Sequence, residues 1–426
     1  MALAAFDLAA VCISYNVVYW TQLDALPGLS GSVVALALLW VLSSYLVGRY
    51  SQRFRPSGTA LVLFIVTGTA AALQWGAQIN DPRVLPTFAL PTCVLTALIS
   101  LAAQWQAHHR QSKPERWIVI GNKEELNIVL KENLRGQHHA PLRLNLIEYE
   151  TATERLHRLD TTDVVGIAIG ERAELNESAI ERLLALRRKG LSVIALVNWA
   201  EQVLQRVPPE LFSSQWLAQA EGFELQPDHL GWRIKRLGDL LVAALLLVIS
   251  APVVALAAAL IKLEDGGPVV FSQIRTGIYG ECFRLNKLRS MRTDAERHGA
   301  RWASRGDPRI TRMGYWLRRL RIDELPQLWN VITGDMSLIG PRPERPEFEA
   351  ELEAKIPHYR IRHWIRPGLS GWAQVCHPYG ASVDDSRSKL SYDLYYLRNF
   401  SLPLDLLILL KTIKLISRAA GSQPHA

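Results

Sequence analysis

Four apolar runs crowd the first 105 residues, near 3–20, 31–48, 59–76 and 84–105. Each approaches the roughly 20 residues that a helix needs to cross a bilayer. Lipid offers backbone polar groups no partners, so such runs must satisfy their own hydrogen bonds as helices. The first has no basic region before it and no small-residue cleavage site after it, so it reads as a retained helix and not a removable signal. Arg49, Arg53 and Arg55 follow the second run, and Arg110, Lys113 and Arg116 follow the fourth. The other two loops hold Asp24, Asp81 and the single base Arg83. The positive-inside rule then puts both ends of this region, 1–108, in the cytoplasm. Asp7, inside the first run but near its end, is expected to reach the interface and not to act as an intramembrane acid.

A fifth apolar run, 237–261, is also long enough to span. Arg233, Lys235 and Arg236 precede it and Lys262 follows, so both of its ends prefer the same face. Pro252 sits near the middle, where it removes a helix hydrogen bond, and Ser250 stands close by to satisfy the freed carbonyl. The run is therefore expected to break at Ser250–Pro252, dip into the membrane and return. A straight span would carry the rest of the chain across. That remainder, 263–426, holds 25 Lys and Arg against 18 Asp and Glu, or +7 of the whole chain's +8. A basic domain suits nucleic acid, anionic lipid or a phosphorylated substrate. Beside apolar segments the last two fit better, and no nucleic-acid-binding motif is present, so no nucleic-acid partner is expected.

Between the apolar regions, 115–225 alternates strand-like runs (WIVIGN, LRLNLIEYE, DVVGIAIG, LSVIALVN) with helix-like ones such as AIERLLALRRKG. That alternation is Rossmann-like. The turn after the first strand reads Gly121-Asn122-Lys123-Glu124, without the glycines of a dinucleotide fingerprint, so a structural or regulatory role is expected for it. Cys12, Cys93, Cys282 and Cys376 form no CxxC pair, and the histidines show no zinc spacing.

The densest chemistry lies in 315–343, YWLRRLRIDELPQLWNVITGDMSLIGPRP. Asp323 and Glu324 are adjacent, Arg312, Arg318, Arg319 and Arg321 precede them, and Pro326 follows. Pro belongs in a helix's first turn, so a helix is expected to begin near Asp323. The structural reading makes Asp323 a helix cap and Glu324 a partner of the helix dipole. From these residues alone that reading would stand. Yet DELPQLWNVITGDMSLIGPRP resembles the signature of the bacterial sugar transferases, the polyprenyl-phosphate phosphoglycosyltransferases, in which Asp323 and Glu324 match the catalytic dyad. The resemblance runs from about Lys235 to Ile416. Lys287 and Arg289 match a basic motif of the family, and Arg342 ends the loop after Gly340. Arg366, Trp372 and Gln374 stand in its RPGxxGWAQV block. The family's re-entrant helix has Ser just before the Pro, where this chain has Ala251 with Ser250 one place earlier. Trp372 suits stacking on a base or sugar and core packing about equally. The run 402–416 is short and charged, and is expected to lie at the interface or cover the core.

The resemblance implies a multidomain membrane protein of the large type. A four-helix transmembrane bundle (1–108) and a Rossmann-like α/β module (115–225) would precede an α-rich α/β transferase domain (233–418) with a re-entrant helix (237–261). It would sit in the bacterial inner membrane as a multi-pass protein, with the catalytic domain on the cytoplasmic face. The implied reaction moves a hexose 1-phosphate, of glucose or galactose, from a UDP-sugar to undecaprenyl phosphate and releases UMP. It would open exopolysaccharide, capsule or O-antigen synthesis. Asp323 would form an aspartyl phosphosugar. Mg2+, held by Asp323 and Glu324, would offset the repulsion between carboxylate and diphosphate. Lys287, Arg289, Arg342, Arg366, Trp372 and Gln374 would contact substrate or phosphate. A UDP-releasing glycosyltransferase and a non-catalytic membrane scaffold are the alternatives. The residues leave open the sugar, the pathway and the oligomeric state, including a homodimer through the middle module.

Overall fold

The computed structural model describes residues 2–417 except 25–27, 30, 48, 50–55, 77–87, 111–114, 136–141, 159, 161–162, 224–229, 298, 300–305, 378–379 and 381. Arg53, Arg55, Asp81, Arg83 and Lys113, used above to orient the apolar runs, lie outside these residues. The chain divides into two units. The first holds α1 (Ala2–Leu23), α2 (Gly31–Val47), α3 (Pro56–Gly76) and α4 (Leu90–Arg110). Val11, Ala37, Trp40, Val66 and Ala97, drawn from all four helices, meet in one core. Among the described residues, α1 is long and apolar enough to cross a membrane by itself, and 31–47 and 58–72 are shorter apolar helical stretches. Asp7 does not reach an interface. It is 2% exposed, meets Arg49 Nη1 at 3.4 Å and accepts a hydrogen bond from Ser100. A buried carboxylate is tolerable only when paired, so Asp7 draws Arg49 inward, and Arg49 is no free loop charge.

The second unit opens with a four-stranded sheet in the order β2-β1-β3-β4. Its strands are β1 (Glu115–Gly121), β2 (Leu142–Glu148), β3 (Val164–Ile169) and β4 (Ser192–Ala195), with β3 and β4 parallel. Helices α5 (Lys123–Arg135), α6 (Ala152–His157) and α7 (Glu177–Arg188) connect them. Ile118, Ile120, Ile147, Leu156, Ile167 and Leu183 form the core. The run LSVIALVN splits: its first half is β4, while Leu196–Trp199 turns helical. At the end of β1 the Glu125 carboxylate accepts from the backbone N–H of Asn122 (3.0 Å) and of Arg172 (3.1 Å). The first of these donors lies at the turn where a nucleotide phosphate would sit in a dinucleotide fold, and the second comes from the turn after β3. The chain's own acid fills the seat.

The C-terminal part begins with α8 (Leu230–Asp265), followed by an antiparallel hairpin of β5 (Val270–Thr276) and β6 (Cys282–Leu288). Next come α9 (Arg312–Arg319), α10 (Gln327–Thr333), β7 (Ser337–Ile339), α11 (Pro346–Lys355) and β8 (Gly368–Ser370), which pairs in parallel with β7. Helices α12 (Trp372–Cys376), α13 (Val383–Arg398) and α14 (Leu402–Ser417) close the domain. As expected, α14 covers the core: Ile408 is fully buried and Asp405 faces inward.

Both ends of α8 rest on this one domain. Near its start, Lys235 pairs with Asp405 at 2.7 Å, and Asp239 accepts from the Ser337 hydroxyl at 2.7 Å. Near its end, Ala257 and Ile261 pack on Leu288 and Leu317, and Glu264 accepts from the Met313 N–H at 3.2 Å. The middle is apolar and exposed, with Leu245 at 60% and Val248 at 72%. The expected break is corrected: the helix runs on through Pro252. Ser250 Oγ donates to the Leu247 carbonyl at 3.4 Å and not to Val248, whose carbonyl loses its usual partner at Pro252. One missing bond lets a helix bend without ending it.

The β7–β8 pair depends on close backbone approach. A Cβ on Gly340 would lie 2.4 Å from the Arg366 carbonyl oxygen and 2.9 Å from the Gly368 nitrogen. Backbone cannot yield as a side chain can. Gly340→Ala should therefore destabilise the second unit by about 1–3 kcal/mol, read as a lower thermal midpoint. An unchanged midpoint would show that this approach does not hold the site.

Candidate active site

The site is built where α9 turns into α10. Leu320 ends α9, and Arg321 takes the left-handed conformation at φ 58°, ψ 21°. A side chain there costs about 1–2 kcal/mol, and the turn redirects the chain under the β5–β6 hairpin. A single 3-10 turn, Ile322–Glu324, follows. Pro326 sits at φ −61°, ready for a helix start, and α10 ends on Gly334 at φ 98°. The helical path does begin near Asp323, as its Pro spacing predicts.

What Asp323 does there departs from the capping reading. No side-chain cap bond forms at the 3-10 turn or at the start of α10. Asp323 is 6% exposed, and its Oδ1 is buried without a hydrogen-bond partner. A cap would spend that oxygen on backbone N–H groups. Glu324, by contrast, is claimed twice: Arg321 Nη1 donates to both of its oxygens at 3.0 and 3.1 Å, and Arg342 Nη2 donates to Oε1 at 2.8 Å. The pair is thus divided. Burial, with the neighbouring Glu324 charge, pushes Asp323 up to about 6, against Arg318, Lys287 and Arg321. Burial also works against ionisation of Glu324, yet Arg342 and Arg321 overcome it and hold that carboxyl well below its usual range. Lys287, on β6, is pushed down to about 8 by burial and by the charges of Arg275 and Arg318. The arrangement is one fixed anion, one acid poised near neutrality with an unclaimed oxygen, and a surround of cations. It suits nucleophilic attack on a phosphorylated substrate.

The other expected ligands separate. Lys287 and Arg342 join the dyad. Arg289 does not, because its buried guanidinium forms a two-pronged pair with Asp265 at the end of α8. Trp372 is 2% exposed, donates its indole N–H to the Gln205 carbonyl at 3.0 Å and stacks on Tyr395. It packs and does not offer a face to substrate. Gln374 donates to the Leu369 carbonyl at 3.3 Å, with its Oε1 buried and unpartnered. Arg366 donates to the Gly334 carbonyl at 2.9 Å, at the far end of α10. Arg321 and Arg318 were visible in the sequence only as part of a basic run. The left-handed turn that makes Arg321 a partner of Glu324 leaves no mark in residue types, since a Gly or Asn would have been its usual signal.

Among the described residues no group of three or more His, Cys, Asp or Glu could hold a metal. The dyad still fits a magnesium ion brought by a diphosphate, because Mg2+ binds one or two carboxylates together with substrate oxygens and water. Asp323 Oδ1 is the oxygen available to it; Glu324, expected to share the ion, is held by two guanidiniums.

Comparisons with known proteins match the same C-terminal part of the chain. Residues 230–419 match the family model described as bacterial sugar transferase. Over 199 residues the chain is 51% identical to the UDP-N-acetylgalactosamine-undecaprenyl-phosphate N-acetylgalactosaminephosphotransferase of Aeromonas hydrophila, covering 47% of each chain. The alignment thus spans about half the length of that relative. A UDP-glucose:undecaprenyl-phosphate glucose-1-phosphate transferase of Caulobacter vibrioides is 45% identical over 181 residues, 42% of this chain and 68% of the relative. A protein of the same description from Xanthomonas campestris pv. campestris is 28% identical over 453 residues, 97% of this chain and 92% of its own.

The divided dyad fixes a pH signature. An attacking Asp323 would need its carboxylate form, so kcat/KM should then fall as pH drops below about 6, along a one-proton limb. Glu324→Gln removes the charge that raises Asp323 and releases two arginines beside it, so the limb should move to lower pH. A limb that stays in place in Glu324→Gln would show that the two carboxyls do not interact.

Proposed function

The chain belongs to the bacterial sugar transferase family, and from that premise we propose that it transfers a sugar 1-phosphate from a UDP-sugar to undecaprenyl phosphate, releasing UMP. The observation that carries this reading is the unclaimed oxygen of buried Asp323 beside a Glu324 that two arginines hold ionised. The Asp323 carboxylate attacks the phosphorus that bears the sugar. A new O–P bond forms, the P–O bond to UMP breaks, and UMP leaves with the bridging oxygen. A phosphate oxygen of the lipid then attacks the same phosphorus, frees Asp323 and gives the polyprenyl diphosphosugar. Lys287, Arg318 and Arg321, whose charges act on Asp323, stabilise charge on the transferring group. Arg342 and Arg321 keep Glu324 ionised and themselves in place. Mg2+, held chiefly by the donor's diphosphate and water with Asp323 beside it, would neutralise that diphosphate. The relatives' names span N-acetylgalactosamine and glucose, so the donor sugar is taken to be a hexose or its N-acetyl derivative.

The membrane part of the proposal rests on α8. Its ends pack on one domain while its middle exposes an apolar surface, which suits a helix that enters the bilayer and returns. The transferase domain then stays on the cytoplasmic face of the bacterial inner membrane, where nucleotide sugars are. The Rossmann-like module serves as a structural element, with Glu125 in its phosphate seat.

Two measurements test these points. Incubated without lipid, the wild-type protein should release UMP and acquire label from a sugar-phosphate-labelled donor; Asp323→Asn should do neither. Asn caps about as well as Asp, so near wild-type turnover by that variant would mean the site chemistry lies elsewhere. UDP in place of UMP would point to an ordinary glycosyltransferase. For topology, Leu230→Cys and Leu263→Cys, both strongly exposed, should be labelled from the same side by a membrane-impermeant maleimide, in a background without the four native cysteines. Labelling from opposite sides would make α8 a straight span.

A further inference from the structure

A cavity of about 440 Å³ opens beside the first turns of α8. Leu240, Ile278, Ile339, Trp232 and Trp364 contribute apolar walls. Two guanidiniums enter it and converge on the last turn of α10. Arg236 donates to the Val331 carbonyl at 2.7 Å and to the Ile332 carbonyl at 3.1 Å, while Arg366 donates to the Gly334 carbonyl at 2.9 Å. Among the described residues neither has a carboxylate partner within ion-pair distance. The one acid among the lining residues, Asp239, is turned to Ser337 and Lys235, and Lys235 is also held by Asp405. Arg236 and Arg366 feel each other's charge.

Cations near a helix C-terminus are common, and one would explain itself as a cap of α10. Two side by side repel, and the helix end offers about half an elementary charge in return. A ligand with two negative charges would balance the pair. The cavity also continues onto a greasy track: Leu237, Leu241 and Leu245 are 58%, 64% and 60% exposed and stand four residues apart on one face of α8.

We propose that this cavity receives the phosphate head of the lipid acceptor, a long-chain isoprenoid phosphomonoester, with its tail along the Leu237–Leu241–Leu245 face. The inference rests on the acceptor assigned under Proposed function and adds where that acceptor is held. A phosphomonoester carries close to two negative charges at neutral pH, which matches two arginines able to bind oxygens in pairs. A bilayer phosphodiester carries one and would leave a guanidinium unmatched. The dyad stands in the turn before the opposite end of α10, beyond the roughly 10 Å length of that seven-residue helix. The cavity is thus a receiving seat, from which the head group advances to the phosphorylated Asp323.

The full chain in nanodiscs provides the test, with undecaprenyl phosphate as the varied substrate. Arg236→Gln and Arg366→Gln should each raise its KM about tenfold or more, while the KM for the UDP-sugar and the lipid-free release of UMP stay within about twofold. Lipid-free UMP release also reports that each variant is folded, since Arg236 binds carbonyls of α10. Arg366→Lys, which keeps the charge, should recover part of the loss. Neither phosphatidylglycerol nor inorganic phosphate in excess should raise the acceptor KM. The proposal is overturned if both Gln variants keep the wild-type acceptor KM, or if donor and acceptor KM rise together. Competition by phosphatidylglycerol would make the cavity a general anionic-lipid site, and competition by inorganic phosphate a site for the free anion. Absence of lipid-free UMP release from the wild type would instead sink the two-step reading beneath it.

Discussion

Two carboxylates on consecutive buried residues cannot both stay charged unless cations hold one of them. Arg321 and Arg342 hold Glu324, and that choice leaves Asp323 with its unclaimed oxygen. The two arginines reach Glu324 by different routes. Arg321 arrives through a left-handed residue between α9 and the 3-10 turn. Arg342 arrives on the loop after β7, whose path is set by the glycine contact between Gly340 and Gly368. Behind it stands a third layer: Arg362, itself buried, donates to the Arg342 carbonyl at 2.9 Å and to Asp393 at 3.0 Å. Burial pushes Asp393 up to about 6 against the pull of Arg362. The state of Asp323 is therefore fixed by a chain of charges that reaches α13.

A second polar network sets α8 in register. Lys235 lies between Asp405 and Asp239, Tyr396 donates to Asp405 at 2.6 Å, and Asp239 accepts from Ser337 on β7. Such groups are costly to bury and do not slide, because a shift of one residue would leave several charges unpaired. Apolar contacts alone would allow α8 to rotate or move along its axis. The network fixes its first turns against β7 and α14, close to the loop that carries Arg342. The position of α8 is thereby tied to the geometry of the dyad.

Much of this was legible in residue types. The apolar runs gave helices, alternating strand-like runs gave the sheet, and Pro326 marked the helical start correctly. The dyad could be found by resemblance but its function could not be told from a cap by sequence, because Asp and Glu suit both. What decides is whether an oxygen is spent on backbone, and that is a matter of three-dimensional placement. Arg289 and Trp372 show the same limit in reverse. Each stands in a block that matches the family motif, yet one is tied to Asp265 and the other packs against Gln205 and Tyr395. Pairing partners that are 24 and 167 residues away leave no local pattern. Asp7 was misread for a related reason: its partners Arg49 and Ser100 lie on other helices, and position within a run says nothing of them.

Trp372 leads to the part the α/β module plays. Its indole N–H is satisfied by the module's Gln205, and next to it Arg206 is buried against Glu132 at 2.7 Å with its guanidinium over the Tyr392 ring. Val207 donates its N–H to the Ser391 carbonyl at 2.8 Å, and Glu201 pairs with Arg398 at 2.8 Å. All of these contacts except the Arg206–Glu132 pair, which lies within the module, end on α12 or α13. Helix α13 also carries Asp393, the last member of the chain of charges that positions Arg342. The module therefore braces the helix on which the site leans, while its Glu125 ties the backbone of Asn122 to that of Arg172. A brace of hydrogen bonds, ring contacts and one ion pair transmits position without needing a ligand, since moving α13 would strip Glu201 of Arg398, Arg206 of the Tyr392 ring and Val207 of its Ser391 carbonyl at once.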